Sequence, residues 1–536
     1  MRPLLFLATK ILSTTFAFAA CAQAPTAPPH NIVLFVADGL RFRMVDDRTA
    51  PTMAAIVREG VSLRNSHSLF PTFTTANASG LATGHMLGDT GDFSNTIYTG
   101  FEVHSAGDSQ TPFLENDAVL GEVDEHFSGN YLDETTILKL ARDKGYSTAS
   151  IGKLGPTLIF DSTERSGGQT ILIDDATGTP KGIPLSAEVT QRLQAVNLPL
   201  AAPSRGANSA AGNVSTPETT SANVVQQDYF AAATTRVVLP MFKERNKPFL
   251  LVFWSRDPDG TQHNQGDSLN VLVPGINGPT SLAAIRNADD NLARIRSALS
   301  ELGLLESTNI IVTSDHGFST ISKESQTSST VATKFSDTLP GHLPFGFVAL
   351  DLSRVLNLPL IDPDDGYKTI GEGQHTKNGN GLIGGDRNNP RIVVAANGGS
   401  DLIYIPDGDT ATAKRVVDTL LTQDYVSGIF VDSNSGNFPV RSRLTTSRSR
   451  ERPSRPVRRS QSVSVPLTRM RRAGSLRGRG RRYGAAAGAR HARLVQPGRH
   501  LELHGNAGAR LQIAIRRSRA GQQRRSGPHD CASDAA

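Results

Sequence analysis

Three short apolar runs, far apart along the chain, each lead into an acid. Asn31-Ile-Val-Leu-Phe-Val-Ala runs into Asp38, Phe249-Leu-Leu-Val-Phe-Trp-Ser runs toward Asp257 and Asp259, and Asn309-Ile-Ile-Val-Thr runs through Ser314 into Asp315. Apolar, β-branched runs without polar alternation read as strands buried on both faces, the habit of parallel sheets. Helical periodicity occupies the intervals. Pro51 to Gly60 places Met53, Ile56 and Val57 on one face, Ile137 to Lys144 reads as a helix, and Ser281 to Leu302 keeps Ile285, Ala288, Leu292, Ile295 and Leu299 in register before stopping at Gly303. Ser147 to Ile151, Arg391 to Ala395 and Leu402 to Ile405 read as further strands. The pattern predicts an α/β protein, a three-layer α/β/α sandwich around a central, mostly parallel sheet. Leu200 to Asn223, rich in small polar residues, and Asp362 to Asn389, rich in Gly and Asp, read as loops; Gly91 to Asn130 reads as a loop that could line a pocket.

Ligands of open α/β sheets gather at the carboxyl ends of strands, so three runs ending in Asp predict one shared crevice. Histidines accompany two of them: His263 follows Asp259, and His316 is adjacent to Asp315. Taken singly, each has an ordinary reading. Asp38 can cap a turn, His316 and Asp315 can form a surface pair, His263 can be solvated in its polar loop, and Thr74 can cap a helix. Together they supply the oxygen and nitrogen donors of a metal-assisted phosphoryl-transfer site, a combination that zinc accepts. His67, His85, His104 and His126 carry no motif, and Lys153 after Ile151-Gly resembles a Gly-Lys of related hydrolases, a weak signal.

Composition agrees with a large soluble core: 536 residues, 38% hydrophobic and 6% aromatic. Residues 1–24, with Arg2, an apolar Leu4-Leu-Phe-Leu and an Ala-rich stretch, have the three regions of a secretory signal, so a periplasmic or secreted protein is expected. Cys21 adds the alternative of a lipoprotein. With only Cys21 and Cys531, disulfides do not hold the fold. Nothing after the leader reads as a transmembrane segment. The net charge of +6 hides two opposite parts, because 441–536 carries 24 Arg, no Lys and 4 acids, which leaves 32 basic and 46 acidic residues elsewhere. That tail has two readings, a disordered basic arm or translation out of frame from a GC-rich gene. Neither makes this a nucleic-acid-binding protein.

The chain resembles the type I phosphodiesterase and nucleotide pyrophosphatase family of the alkaline phosphatase superfamily. Ala37-Asp38-Gly39, Pro71-Thr-Phe-Thr74 with Asn77, Asp259-Gly-Thr-Gln-His263 and Ser314-Asp-His-Gly317 carry the resemblance, over about Asn31 to Pro439. It implies an alkaline-phosphatase-like catalytic domain over 25–440, with a loop insertion at 195–225. It also implies two zinc ions: Asp38, Thr74, Asp315 and His316 match the ligands of one, and Asp259 and His263 match two ligands of the other. Thr74 matches a nucleophile that is transiently phosphorylated, and Asn77 a donor to a phosphoryl oxygen. A small phosphodiester or nucleotide is the implied substrate. The departure is the third ligand of the second zinc, a histidine in a C-terminal Gly-x-His-Gly that this chain lacks; His342 and His375 are the later histidines of the family-like part. A phosphomonoesterase or phosphonate hydrolase of the same superfamily, and an inactive product of a frameshifted gene, are the competing readings.

Overall fold

The computed structural model describes residues 30–210 and 212–432, together with three short strands, Ser442–Arg443, Gln461–Pro466 and Ala514–Arg516. The leader and most of the Arg-rich tail lie outside the described residues.

Five parallel strands form the centre: β1 (Asn31–Ala37), β2 (Ser147–Gly152), β3 (Thr170–Asp174), β4 (Phe249–Ser255) and β5 (Thr308–Thr313), in the order β5-β1-β4-β2-β3. The absence of polar alternation in these strands follows from their two covered faces. Val33, Phe35 and Ala37 of β1, with Leu251 and Phe253 of β4, point to one side. There they meet Met53 and Ile56 of α1 (Pro51–Glu59) and the apolar stripe of a 23-residue helix, Pro279–Glu301. Leu34, Val36, Leu250, Val252 and Trp254 point to the other side, against α2 (Thr74–Thr83), α3 (Asp117–His126) and α4 (Ile137–Asp143). Register puts Phe35 opposite Phe253, and their rings stack at 5.3 Å. This is the predicted sandwich, with each strand period assigned to a helical layer.

A second, antiparallel sheet follows. β6 (Leu360–Asp362), β7 (Gly381–Ile383), β8 (Ile392–Ala395) and β9 (Ser400–Ile405) pair in sequence, and Gln461–Pro466 pairs with β9. Helices Phe347–Leu356 and Thr410–Leu421 cover it and share its core. The expected loop at 362–389 is therefore interrupted by β7 and by the two-residue strand Lys368–Thr369. Strands of two or three residues are too short to display a period. The expected loop at 91–130 likewise contains α3, started by Asn116, whose side chain accepts from the Ala118 and Val119 amides. Asn397 exchanges two hydrogen bonds with the Thr96 backbone, at 2.7 and 3.0 Å, and so ties this segment to the second sheet.

Asp401 in β9 is buried, its carboxylate accepting from the Asn397 amide at 2.8 Å. Burial pushes its carboxyl up to about 7, against the opposing amide. The fold thus holds the Asp401 proton more tightly than the unfolded chain does. Its stabilising contribution is complete below the unfolded value of ~4 and is lost as pH rises through about 7. Urea unfolding from pH 5 to 8 is expected to give falling midpoints, and Asp401→Asn to flatten that fall; equal slopes in the two proteins would refute it.

Candidate active site and metal centre

Four strand ends build the site on one edge of the sheet. Asp38 follows β1, Lys153 follows β2, Asp259 opens α5 (Asp259–His263) just after β4, and Ser314-Asp315-His316 follows β5. Gly39 makes the close approach of the first and third possible. It adopts φ +65°, and a Cβ there would lie 2.9 Å from Asp259 Cβ. Its amide donates to Asp315 Oδ1 at 3.1 Å, and the Asp259 amide donates to the Asp38 carbonyl at 3.0 Å. Ser314 Oγ accepts from the Leu40 amide and donates to the His316 carbonyl, closing the turn.

In each of three of these side chains an outer atom is taken by protein and an inner atom is left over. Asp38 Oδ2 accepts from Trp254 Nε1 at 2.8 Å and Lys153 Nζ at 2.9 Å, whereas Oδ1 has no hydrogen-bond partner. Asp315 Oδ1 is taken by the Gly39 amide, whereas Oδ2 has no hydrogen-bond partner. His316 Nδ1 lies 2.7 Å from the Gly317 carbonyl, which holds a proton on Nδ1 and turns Nε2 inward. Nε2 lies 3.3 Å from Asp315 Oδ2, 3.6 Å from Asp38 Oδ1 and 3.2 Å from Thr74 Oγ1. Orphaned buried carboxylate oxygens are costly, and a cation shared among these atoms removes that cost. Among the described residues, Asp38, Asp315 and His316 are the one trio of acid, histidine or cysteine side chains whose ligand atoms all lie within 4.8 Å of one another.

The local field favours positive charge. Burial and the Asp38 charge push Asp315 up to about 7, with His316 and Lys153 opposing. Burial lowers the His316 imidazole, but Asp315 and Asp38 raise it to about 9. Trp254→Phe removes one of the two donors that orient Asp38. If the trio holds a divalent metal, the substitution is expected to weaken that metal's affinity about 10- to 100-fold while the fold persists, a shift that competition with a fluorescent chelator reads directly.

Thr74 is the first residue of α2 and is 2% exposed, with Lys153 Nζ 3.2 Å from its Oγ1. Asn77, one turn on, spends its side-chain amide on the backbone ahead of the helix. Its Oδ1 accepts from the Leu69 amide at 2.7 Å, and its Nδ2 donates to the Phe73 and Leu69 carbonyls at 2.9 and 3.3 Å, so it braces the segment entering α2. Asp259 and His263 form the other half. His263 Nε2 is 3.3 Å from Asp259 Oδ1, and its ring meets Phe318 edge-on at 4.7 Å. Burial opposes ionisation of Asp259, but the charges of His263 and Lys153 hold it well below the usual range. The 200–223 segment supports α5, since Arg205 Nη2 donates to the Gly260 carbonyl and Asn208 Nδ2 to Thr261 Oγ1, both at 2.8 Å.

His375 pairs with Asp337 at 2.9 Å, and His342 lies by the Pro340 carbonyl, so neither completes the Asp259–His263 pair. His67, His85, His104 and His126 are engaged by Asn65, Glu134, Asp108 and Phe101 respectively. The sequence reading left out two residues and underweighted a third. Asn95 Oδ1 accepts from the Thr75 amide, and Asn95 Nδ2 donates to Glu115 Oε1, both at 2.9 Å. Glu115 Oε2 in turn lies 3.2 Å from Lys153 Nζ. A Lys directly after a strand of the sheet, at the same edge as the acids, was the one available signal.

A family model described as Type I phosphodiesterase / nucleotide pyrophosphatase matches residues 32–383. No curated protein matches the chain. Among solved structures, human ectonucleotide pyrophosphatase / phosphodiesterase 5 is similar at 13% identity and a TM-score of 0.43, covering 82% of this chain and 79% of that one. The murine protein, as an inactive T72A form in complex with AMP, is similar at 16% identity and a TM-score of 0.33, covering 55% of this chain and 59% of that one. The chain therefore spans about three fifths of the murine structure.

Proposed function

The chain belongs to the type I phosphodiesterase / nucleotide pyrophosphatase family, and from that premise we propose that it is an exported, zinc-dependent hydrolase of phosphodiester or pyrophosphate bonds working through a phosphothreonine at Thr74. The observation that carries the reading is the convergence of Asp38 Oδ1, Asp315 Oδ2 and His316 Nε2 beside Thr74 Oγ1. Asp38, Thr74, Asp315 and His316 would hold one zinc ion. Asp259 and His263 would hold a second, with fewer protein ligands among the described residues. Bound zinc would favour the ionised form of the threonine hydroxyl and draw charge from a phosphoryl oxygen.

The protein's own groups account for the rest. Thr74 Oγ1, at the start of a ten-residue helix, attacks phosphorus where backbone amides and the helix dipole favour an anion. Asn77 holds the Phe73–Thr74 backbone in place. Asn95, bonded to the Thr75 amide, brings a side-chain amide to the same helix terminus, the role expected of Asn77. Trp254 and Gly39 fix the two carboxylates. Among the described residues no helix is long and apolar enough to cross a membrane.

The test is turnover of bis(p-nitrophenyl) phosphate beside p-nitrophenyl phosphate and p-nitrophenyl sulfate, with zinc content measured on the same preparation. Preference for the diester, with a p-nitrophenylphosphoryl adduct on the Thr74 peptide after acid quench, is the expected result. Preference for the monoester, or no adduct during turnover, refutes the reading.

A further inference from the structure

Lys153 is 2% exposed, yet it is surrounded by four oxygens. Its Nζ lies 2.9 Å from Asp38 Oδ2, 3.2 Å from Glu115 Oε2, 3.4 Å from Asp259 Oδ2 and 3.2 Å from Thr74 Oγ1. A buried lysine that merely neutralised an acid would need one of these carboxylates. Lys153 instead joins the two ligand sets, Asp38 of one and Asp259 of the other, and touches the hydroxyl between them. Three ammonium protons face four acceptors, so one contact is always exchangeable. The opposite side of the group is braced: Glu115, whose side chain is 8% exposed, is held by Asn95, and Asn95 is held by the Thr75 amide. The brace thus begins and ends at the helix terminus that presents Thr74.

We propose that Lys153 is a catalytic residue, the fixed cation that steadies the ionised Thr74 oxygen and one oxygen of the transferring phosphoryl group, and that Glu115 is its positioning residue. The assignment rests on the phosphoryl-transfer reading of the site. In the step, the Thr74 hydroxyl proton passes to solvent and the Oγ–P bond forms while the P–O bond to the leaving group breaks. The leaving oxygen takes the electron pair of that bond and then a proton from water. Lys153 keeps its three protons throughout and supplies charge where negative charge grows, in a water-poor setting that strengthens it. As a compact point charge, lysine can serve both oxygens without the fixed fork of an arginine.

The experiment compares wild type with Lys153→Met and Glu115→Gln, each checked for zinc content and melting temperature. Two readouts are taken: steady-state turnover of bis(p-nitrophenyl) phosphate, and binding of inorganic phosphate by calorimetry. Because Lys153 also donates to Asp38, the variant is assayed at zinc high enough to fill the site, and there Lys153→Met is expected to lower kcat about 10²-fold and to weaken phosphate binding roughly tenfold. Glu115→Gln is expected to lower kcat about tenfold with KM unchanged. Retention of both kcat and phosphate affinity in Lys153→Met, or loss that tracks zinc loss, overturns the assignment. If Lys153→Met does not fold, Glu115→Gln decides, and unaltered kcat at full zinc overturns it. Should wild type cleave no diester while Lys153→Met with full zinc loses phosphate affinity, the lysine assignment stands and the diesterase reading falls.

Discussion

Thr74→Ala is expected to lower kcat toward bis(p-nitrophenyl) phosphate by about 10⁴-fold or more, with zinc content and melting temperature close to wild type. The magnitude follows from the site. Thr74 Oγ1 is the hydroxyl that lies within 3.2 Å of both His316 Nε2 and Lys153 Nζ, so no neighbouring oxygen can take over the attack from the same place. Thr75 Oγ1, the next candidate, is turned to Asp92 at 3.2 Å. Alanine is a better helix former than threonine, and it removes an oxygen whose bonds serve the site, so the fold has no reason to weaken. Asp38, Asp315 and His316 remain as three ligands. Thr74→Ser, which keeps the hydroxyl, is expected to recover most of the loss. Activity of Thr74→Ala within tenfold of wild type would mean that water attacks directly and that no phosphothreonine forms.

The part of this site that can be read from the chain is the part carried by strands. A parallel strand announces itself as an apolar run because both faces are covered, and its last residues point into the crevice whatever the distance in sequence. Asp38 and Asp315 are 277 positions apart, yet each was identifiable from the run before it. The helix Pro279–Glu301 was legible for the complementary reason: its buried residues repeat on one face over many turns. The small antiparallel sheet was only half legible, since β8 and β9 are apolar but β7 is three residues inside a Gly-rich stretch.

Residues that act from loops left less trace. Lys153 belongs with Asp38 and Asp259, 115 and 106 positions away, and a single lysine has no spacing that could reveal such partners. Glu115 and Asn95 sit in the segment ahead of α3, where polar residues ordinarily mean solvent. Asn77 illustrates the opposite limit. Its position one turn beyond Thr74 was read correctly, but helical spacing does not determine a rotamer, and the Leu69 backbone and the Phe73 carbonyl claim its side-chain amide.

His316→Ala is expected to abolish tight zinc binding by the trio and to lower kcat at least about 10³-fold, and chelation of the wild type should reproduce both effects. Without the imidazole, Asp38 Oδ1 and Asp315 Oδ2 remain buried with no hydrogen-bond partner, and the neutral Thr74 hydroxyl, a far weaker donor than the imidazole it would have to replace, is all that joins them in holding the ion. The effect should reach the fold as well. An ion that binds only the native state stabilises it by about 4 kcal/mol at a free concentration a thousandfold above its dissociation constant. Chelated wild type should therefore melt several degrees lower and recover on adding zinc. His316→Ala should already melt low and respond to neither chelator nor zinc. A wild-type melting temperature that ignores chelation, in a preparation shown to have lost its metal, would mean that the inner atoms of Asp38, Asp315 and His316 are satisfied by protons or water instead, and the metal-dependent reading of this edge of the sheet would have to be abandoned.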